Sequence, residues 1–271
     1  MAARSASRYT ARTADRHELY TIAVQAPEED AAFFARWFQR YTGQPLRRFR
    51  EDFCGTAHLA AAFVRRHAAN RALGVDLDRE VLDYARTRVL SALTPPQRRR
   101  IRLMRGDVRT VRPPAVQLIA AMNFSWFVFQ REPDLDAYVR NAWRGLEPGG
   151  VLAMDLFGGA QSQVEMQERR RNRGFTYVWD QARFDPITHS ILCHIHFEFR
   201  DGTRLRKAFT YDWRLWTIPE LRAALQRSGF RDVHVLWEGT EARTGRGNGV
   251  WRRKDHGEAD SAWLAYVVGR K

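Results

Sequence analysis

The stretch Arg50-Glu51-Asp52-Phe53-Cys54-Gly55-Thr56-Ala57-His58, followed by Asp76 within Leu73-Gly74-Val75-Asp76-Leu77-Asp78, decides how the rest of this 271-residue chain is read. It reads as the end of a first strand, a glycine turn, a helix, and a second strand that ends on an acid. A tight turn at Gly55 lets backbone approach a ligand closely, and a carboxylate at the next strand end suits ribose hydroxyls. The pair predicts a nucleoside-binding βαβ unit.

Working outward, Leu46 to Asp52 is a polar first strand: Arg47, Arg48 and Arg50 interrupt what is usually a continuous apolar run. Leu59 to Val64 form a helix with Thr56 as N-cap. Ala72 to Val75 is the second strand, and Asp78 caps a helix bearing Val81, Leu82, Tyr84 and Ala85. Ile101 to Met104 leads into Gly106-Asp107-Val108, and Val116 to Met122 into Asn123-Phe124-Ser125-Trp126. A helix with Leu135, Tyr138, Val139, Ala142 and Leu146 is closed by Pro148-Gly149-Gly150, before a strand from Val151 to Leu156. This alternation predicts a doubly wound parallel sheet with its ligand at the carboxyl ends of the strands.

After Gly159 the rhythm changes. A polar, Arg-rich segment to Arg173 reads as helical. Phe175 to Trp179, Ile191 to Phe199 and Leu205 to Tyr211 then form an antiparallel meander, divided by the turn signals Asp185-Pro186 and Asp201-Gly202. The capping box Thr217-Ile218-Pro219-Glu220 starts a helix that ends at Gly229. Val233 to Trp237 and Trp263 to Val268 are the last strands, with a glycine-rich, charged linker between them. At the front, residues 1–14 read as a flexible basic tail and residues 15–44 as helices, the second carrying Phe33, Phe34, Trp37 and Phe38. The expected plan is a core of residues 45–160 and 212–271, with a helix and antiparallel lid, residues 161–211, inserted over an acceptor site.

Hydrophobic residues make up 44% of the chain, enough to bury a core and outside the disordered range. Cys54 and Cys193 form neither a disulfide framework nor a zinc pattern, which predicts a reducing, cytoplasmic setting. No apolar run approaches the roughly twenty residues that span a bilayer, so no membrane partner is expected. Net charge is +14, with basic clusters at Arg98–Arg100, Arg169–Arg173 and Arg252–Lys254. Such charge suits nucleic acid or an acidic substrate. A solvated surface weighs more, because the clusters lie far apart in sequence.

Glu51…Cys54-Gly55-Thr56, Asp76, Gly106-Asp107-Val108, Pro148-Gly149-Gly150 and Ser228-Gly229-Phe230, taken in order, resemble the class I S-adenosylmethionine-dependent methyltransferases. The whole chain resembles a bacterial, small-molecule-type branch, through Arg16-His17…Leu19-Tyr20…Ala23-Val24-Gln25, Arg50 to Thr56, and Tyr211-Asp212-Trp213-Arg214…Trp216-Thr217. The resemblance implies a Rossmann-like seven-stranded sheet flanked by helices, with the meander as a β lid. It implies that Glu51 and the Gly55 loop, with Cys54 and Thr56, hold the methionine part of S-adenosylmethionine. Tyr20 and Arg50 are candidates for closing over that end, and Arg50 could equally pair with Glu51 or Asp52. Asp76 would take the ribose hydroxyls and Asp107 would lie by the adenine, with Leu77, Val108 and Asn123 as further candidates for the cofactor site. One departure stands out: Phe53 and Ala57 occupy the places of the first and third glycines in the family's Asp-x-Gly-x-Gly-x-Gly. The variant also argues against a dinucleotide, whose pyrophosphate needs a closer backbone approach.

Methyl transfer from a sulfonium is an in-line displacement that alignment accelerates, and a base is needed mainly for hydroxyl acceptors. His194, His196 and Glu198 alternate on one face of a strand, with Cys193, Ile195, Phe197 and Phe199 on the other. One histidine as base or metal ligand is set against a wet sheet face, and the wet face weighs more; no metal is predicted. Trp126 is balanced between acceptor pocket and core, and Tyr177, Tyr211 and Arg214 are candidate acceptor contacts. The prolines of an amino-directed nucleic-acid methyltransferase are absent after Asn123, and neither cysteine follows a proline there. The expected activity is methyl transfer to an oxygen or nitrogen of a small molecule, leaving S-adenosylhomocysteine, by a monomer or homodimer. The alternatives are an RNA or protein methyltransferase using the basic surface, and a non-catalytic S-adenosylmethionine-binding protein.

Overall fold

The computed structural model describes residues 9–241 and 247–271. Along the chain run α1 (Arg16–Val24), α2 (Pro27–Thr42), β1 (Arg48–Asp52), α3 (His58–Arg65), β2 (Arg71–Asp76), α4 (Arg79–Tyr84), α5 (Pro95–Arg98), β3 (Ile101–Arg105), β4 (Val116–Ala121), α6 (Glu132–Arg144) and β5 (Leu146–Gly158). Then follow β6 (Met166–Asn172), β7 (Phe175–Phe184), β8 (Ser190–Phe199), β9 (Arg204–Arg214), α7 (Ile218–Arg227), β10 (Arg231–Thr240), β11 (Gly247–Lys254) and β12 (Trp263–Arg270). The chain divides into two compact units, Pro27–Ala160 with Trp216–Lys271, and the chain up to Ala26 with Gln161–Leu215. Among the described residues no helix is long and apolar enough to cross a membrane.

The larger unit holds a sheet in the order β3-β2-β1-β4-β5-β12-β10-β11. The first five strands in sequence are parallel, and β12, β10 and β11 run antiparallel to their neighbours. Because β1 pairs with β2 on one side and β4 on the other, strand order reverses there and opens a crevice at the carboxyl ends. The eighth strand, β11, lies in what reads as a linker. Its glycines and Arg252-Arg253-Lys254 hide the alternation, and an edge strand tolerates such charge because it need not be covered.

On one face α2 and α3 cover Phe49, Ala120, Ala153 and Val268, and Phe34, Phe38 and the fully buried Ala60-Ala61-Ala62 come from the helices. Three consecutive alanines let α3 lie close to the sheet, which sets the turn before it hard against the strand ends.

The smaller unit is an antiparallel sheet, β6-β7-β8-β9. Its core joins Tyr9 and Leu19 to Phe175, Tyr177, Ile195 and Phe197. Three expectations change here. Residues 166–172 form strand β6, not a helix: Met166-Gln-Glu-Arg-Arg-Arg-Asn has no apolar stripe, and it pairs only with β7 as a charged edge that discourages further pairing. The tail is ordered from Tyr9, whose ring meets Phe175 edge-on at 5.9 Å and whose hydroxyl donates to Glu18 at 2.8 Å. Residues 1–8, with Arg4 and Arg8, lie outside the described residues. Finally, α1 belongs with the antiparallel sheet and α2 with the parallel one, so residues 15–44 do not form one layer, and β9 runs on to Arg214.

The basic clusters are largely spent on the protein itself. Arg100 donates to the carbonyls of Val64, His67 and Asn70, closing the end of α3. Arg169 pairs with Glu198, Arg253 with Asp232 and Lys254 with Glu258. The first and third clusters flank opposite edges of the eight-stranded sheet and do not converge.

Candidate functional site

The turn after β1 carries left-handed backbone at Phe53 (φ +56°), Gly55 (φ +51°) and Ala57 (φ +59°). The loop therefore keeps the path of three glycines with only one of them, at a cost of about 1–2 kcal/mol for each residue that carries a Cβ. Neighbours hold it there. Cys54 N–H donates to Val75 O at 3.0 Å and Ala57 N–H to Cys54 O at 2.7 Å. The Phe53 ring lies against Phe129 and Tyr138, with centroids 5.8 and 5.6 Å away. Backbone strain of this kind persists where packing over-determines it, and it clusters at functional sites. A Cβ added to Gly55 would meet nothing within 4 Å, so open space lies above the turn.

Gly55 N–H points at Asp76, donating to Oδ2 at 2.7 Å, while Asp78 N–H donates to Oδ1 at 3.0 Å. Each oxygen is oriented and still has accepting capacity, which a pair of neighbouring hydroxyls would use. Burial pulls the Asp76 pKa up, against its backbone donors. Leu77 beside it is 64% exposed, giving apolar surface next to the carboxylate.

Carboxyls gather at the strand ends on the face under α2. Glu51 lies opposite Ala120, Ala120 opposite Ala153, and Asp155 opposite Tyr266. Phe33 and Phe34 of α2 pack on the Tyr266 ring at 5.6 and 5.9 Å, which brings Asp30, one turn earlier, to the same end. Glu51 is buried and accepts from Ala60 N–H at 3.0 Å; burial pushes its pKa to about 8, with Asp30, Asp76 and Asp52 adding repulsion. Burial likewise raises Asp155 to about 7 and Asp30 to about 6. Neither aspartate stands out as a site residue in the sequence. Asp30 hides among acids that suit any helix start. Asp155 had a signal: it is the lone acid in the apolar run Val151 to Phe157.

The predicted site residues divide. Glu51, the 53–57 turn, Asp76, Leu77 and Asn123 meet around the switch point between β1 and β4. Arg50 does not reach the cofactor end. It is fully buried on the opposite face from Glu51, in a two-pronged pair with Asp52 (Nε–Oδ1 2.6 Å, Nη2–Oδ2 3.0 Å), and Tyr138 donates to the same carboxylate at 3.2 Å. Cys54 is buried below the turn, where the absence of a Cβ on Gly74 makes room for its sulfur. Thr56 does not cap α3. Its hydroxyl bonds His58 Nδ1 at 2.8 Å, and the left-handed Ala57 is the cap. Asp107 is bound to Arg109, which bridges to Asp134 and holds Asp107 below the usual carboxylate range. Val108 is buried, with its carbonyl taken by Asn141. Trp126 is core, not pocket wall: it has no exposed surface, stands edge-on to Phe127, and donates its indole N–H to Asp155 O at 2.6 Å.

The remaining candidates lie in the smaller unit. His194 is buried and bonds the Thr210 hydroxyl at 3.0 Å. His196 has both ring nitrogens engaged, Nε2 with Asp180 at 3.0 Å and Nδ1 accepting from Lys207 N–H at 2.8 Å. On the other face, Tyr211 stacks on Trp213 at 4.3 Å and is hydrogen-bonded to Tyr20, whose ring tilts against Phe209 at 5.1 Å. Tyr177 is buried beneath the Arg170 guanidinium at 5.0 Å, and Arg214 ends β9. A cavity of about 230 Å³ lies against β10 and β11 beside Trp237 and Arg253, at the opposite end of the sheet from Asp76.

A sheet whose order reverses at β1 and β4, with an antiparallel strand entering between β5 and β10, is the class I methyltransferase fold. Residues 53–150 match the methyltransferase domain family. The fold is similar to an S-adenosylmethionine-dependent methyltransferase from Clostridium acetobutylicum (TM-score 0.67, 16% identity, 94% of this chain and 96% of that one). It is equally similar to CalS10, an S-adenosylmethionine-bound amino pentose methyltransferase from Micromonospora echinaspora (TM-score 0.67, 18% identity, 94% and 96%). The sugar N-methyltransferase KedS8 from Streptoalloteichus aligns over 100% of this chain and 99% of its own at TM-score 0.62 and 18% identity. No curated protein matches the sequence.

Proposed function

We propose that this protein is an S-adenosylmethionine-dependent methyltransferase acting on an oxygen or nitrogen of a small molecule in the cytoplasm. The observation that carries the reading is the Gly55–Asp76 pair: a left-handed turn with open space above it, bonded at 2.7 Å to a carboxylate that keeps accepting capacity. In this reading Asp76 takes the ribose hydroxyls and Leu77 lies against the base. Asp107, fixed by Arg109, borders the adenine. Glu51 and the turn from Phe53 to Ala57 face the methionine part, with Asn123 across the crevice. Bound there, the cofactor supplies an electrophilic methyl on a sulfonium. The protein's share is to hold that methyl about 3–3.5 Å from the acceptor atom, in line with the breaking bond.

The antiparallel unit, with Tyr20, Tyr177, Tyr211 and Arg214, is proposed to recognise the acceptor. Amino sugars are the first acceptors to test, because CalS10 and KedS8 are described as sugar-directed methyltransferases. The basic clusters give RNA little support, being paired internally and set at opposite sheet edges. Calorimetric titration with S-adenosylhomocysteine tests the cofactor site. Asp76→Ala should weaken binding by roughly 1.5–3 kcal/mol, the worth of hydrogen bonds to a charged group. Unchanged affinity would remove Asp76 from the ribose.

A further inference from the structure

Asp155 does more than sit beneath the crevice. Its two carboxylate oxygens each take one backbone N–H from consecutive residues, Asn123 at 2.7 Å and Phe124 at 2.9 Å. Both of those residues are left-handed, at φ +57° and +59°. Its own carbonyl accepts the Trp126 indole at 2.6 Å, and Ser125 closes back on Met122 O through its hydroxyl at 2.9 Å. One buried residue thus grips positions 123, 124 and 126. Two successive left-handed residues that are not glycine are costly for an L-chain, and only Gly, Asn or Asp visits that region readily. Phe124 has no such excuse, so something outside the turn must hold it there.

The turn it grips borders the site. β4 is paired with β1, Asp52 opposite Ala121, so residues 122–124 leave the sheet next to Phe53–Gly55. The Asn123 amide nitrogen is committed to Asp155, while its carbonyl and side-chain carboxamide have no partner among the described residues, and Asn123 is half-buried at the crevice. We propose that Asp155 is a positioning residue: its carboxylate sets the left-handed Asn123–Phe124 turn, and through it the placing of Asn123 against the cofactor. This rests on the cofactor reading above.

The test uses the full chain and S-adenosylhomocysteine as the probe. In Asp155→Asn the amide oxygen keeps one N–H, but its NH2 faces the other donor to donor. At pH 8, above the Asp155 pKa of about 7, where the carboxylate is ionised, binding should weaken roughly ten- to a hundredfold, as expected for the loss of charge-assisted hydrogen bonds. Adding Phe124→Gly should restore much of the affinity, since glycine takes the left-handed conformation freely. Adding Phe124→Ala, which removes the same ring packing without that freedom, should not. Wild-type affinity in Asp155→Asn, or equal behaviour of the Gly and Ala double variants, would overturn the proposal. Should the wild type fail to bind the probe, or Asp76→Ala bind it unchanged, the cofactor reading falls instead. Hydrogen exchange then decides the positioning role: the Asn123 and Phe124 amides should be protected in the wild type and exposed in Asp155→Asn. Unprotected amides in the wild type would refute it, a result that does not depend on any variant folding.

Discussion

Removing the titrating carboxyl of Glu51 should change how stability depends on pH, and in a direction opposite to that of an ordinary surface acid. Burial raises Glu51 from 4.5 to about 8 in the folded protein. Between those values the unfolded chain has lost the proton and the folded one has kept it. The folded state then binds more protons, so stability falls as pH rises, by about 1.4 kcal/mol per pH unit for one group. From pH 5 to pH 7 Glu51 alone lowers stability by about 2.7 kcal/mol on that slope, a large share of the 5–15 kcal/mol typical of a domain. Asp155, raised to about 7, acts the same way, and Asp30, raised to about 6, does so over a narrower window. His58, His194 and His234 oppose them: burial lowers their pKa values, so they cost stability at acid pH and relieve it as pH rises towards 6.5. The wild-type profile is therefore a sum of opposing slopes, and the informative quantity is a difference. Glu51→Gln keeps an oxygen for Ala60 N–H and cannot titrate. Urea unfolding at pH 5, 6 and 7 should find its advantage over the wild type growing by about 1.4 kcal/mol per pH unit. A pH-independent difference would refute the claim that Glu51 is held neutral by burial.

Two further outcomes follow from the geometry. Ala57→Gly relieves the left-handed strain of about 1–2 kcal/mol but loosens the unfolded chain by about 0.4–1 kcal/mol, so a net gain of up to about 1.6 kcal/mol is expected in denaturant unfolding; a loss would mean that Ala57 is not strained. With an acceptor in hand, His196→Ala should leave turnover unchanged while lowering the melting temperature, because both ring nitrogens already bind the sheet. His194→Ala decides whether any histidine takes a proton: unchanged turnover in both variants removes the base.

Much of the larger unit was legible because its signals are local. Strand ends that carry acids, a glycine turn and Pro148-Gly149-Gly150 each follow from short-range backbone demands, and they recur in an order that few folds share. What escaped depends on partners distant in sequence. β6 has no periodicity of its own and becomes a strand only because β7 offers a ladder to Arg169-Arg170-Arg171. β11 exists because β10 turns back on it. Asp155 looks like an intruder in a buried strand until the turn after β4, 32 residues earlier, presents two N–H groups to it. Trp126 could have lined a pocket or filled a core, and only the carbonyl that receives its indole distinguishes the two.

The oddest strand is the one where this distinction matters most. Arg50, Glu51 and Asp52 seem too polar to lie at the centre of a sheet, and they could have been either internally pinned or aimed at ligand. Alternation divides them between opposite faces of the sheet. Arg50 and Asp52 pair with each other beneath Tyr138, where a lone charge would be costly and a hydrogen-bonded pair is tolerable, although Arg50 Nη1 keeps no partner among the described residues. Glu51, one residue out of phase, keeps company with Asp30 and Asp155 at the crevice end. Truncating Arg50 would leave Asp52 buried and unpaired, so its effect would be read in folding, whereas Glu51 answers to pH. Sequence neighbours in this strand are therefore separable by assay: Arg50 and Asp52 report through stability as an ion pair, and Glu51 through the pH dependence of stability.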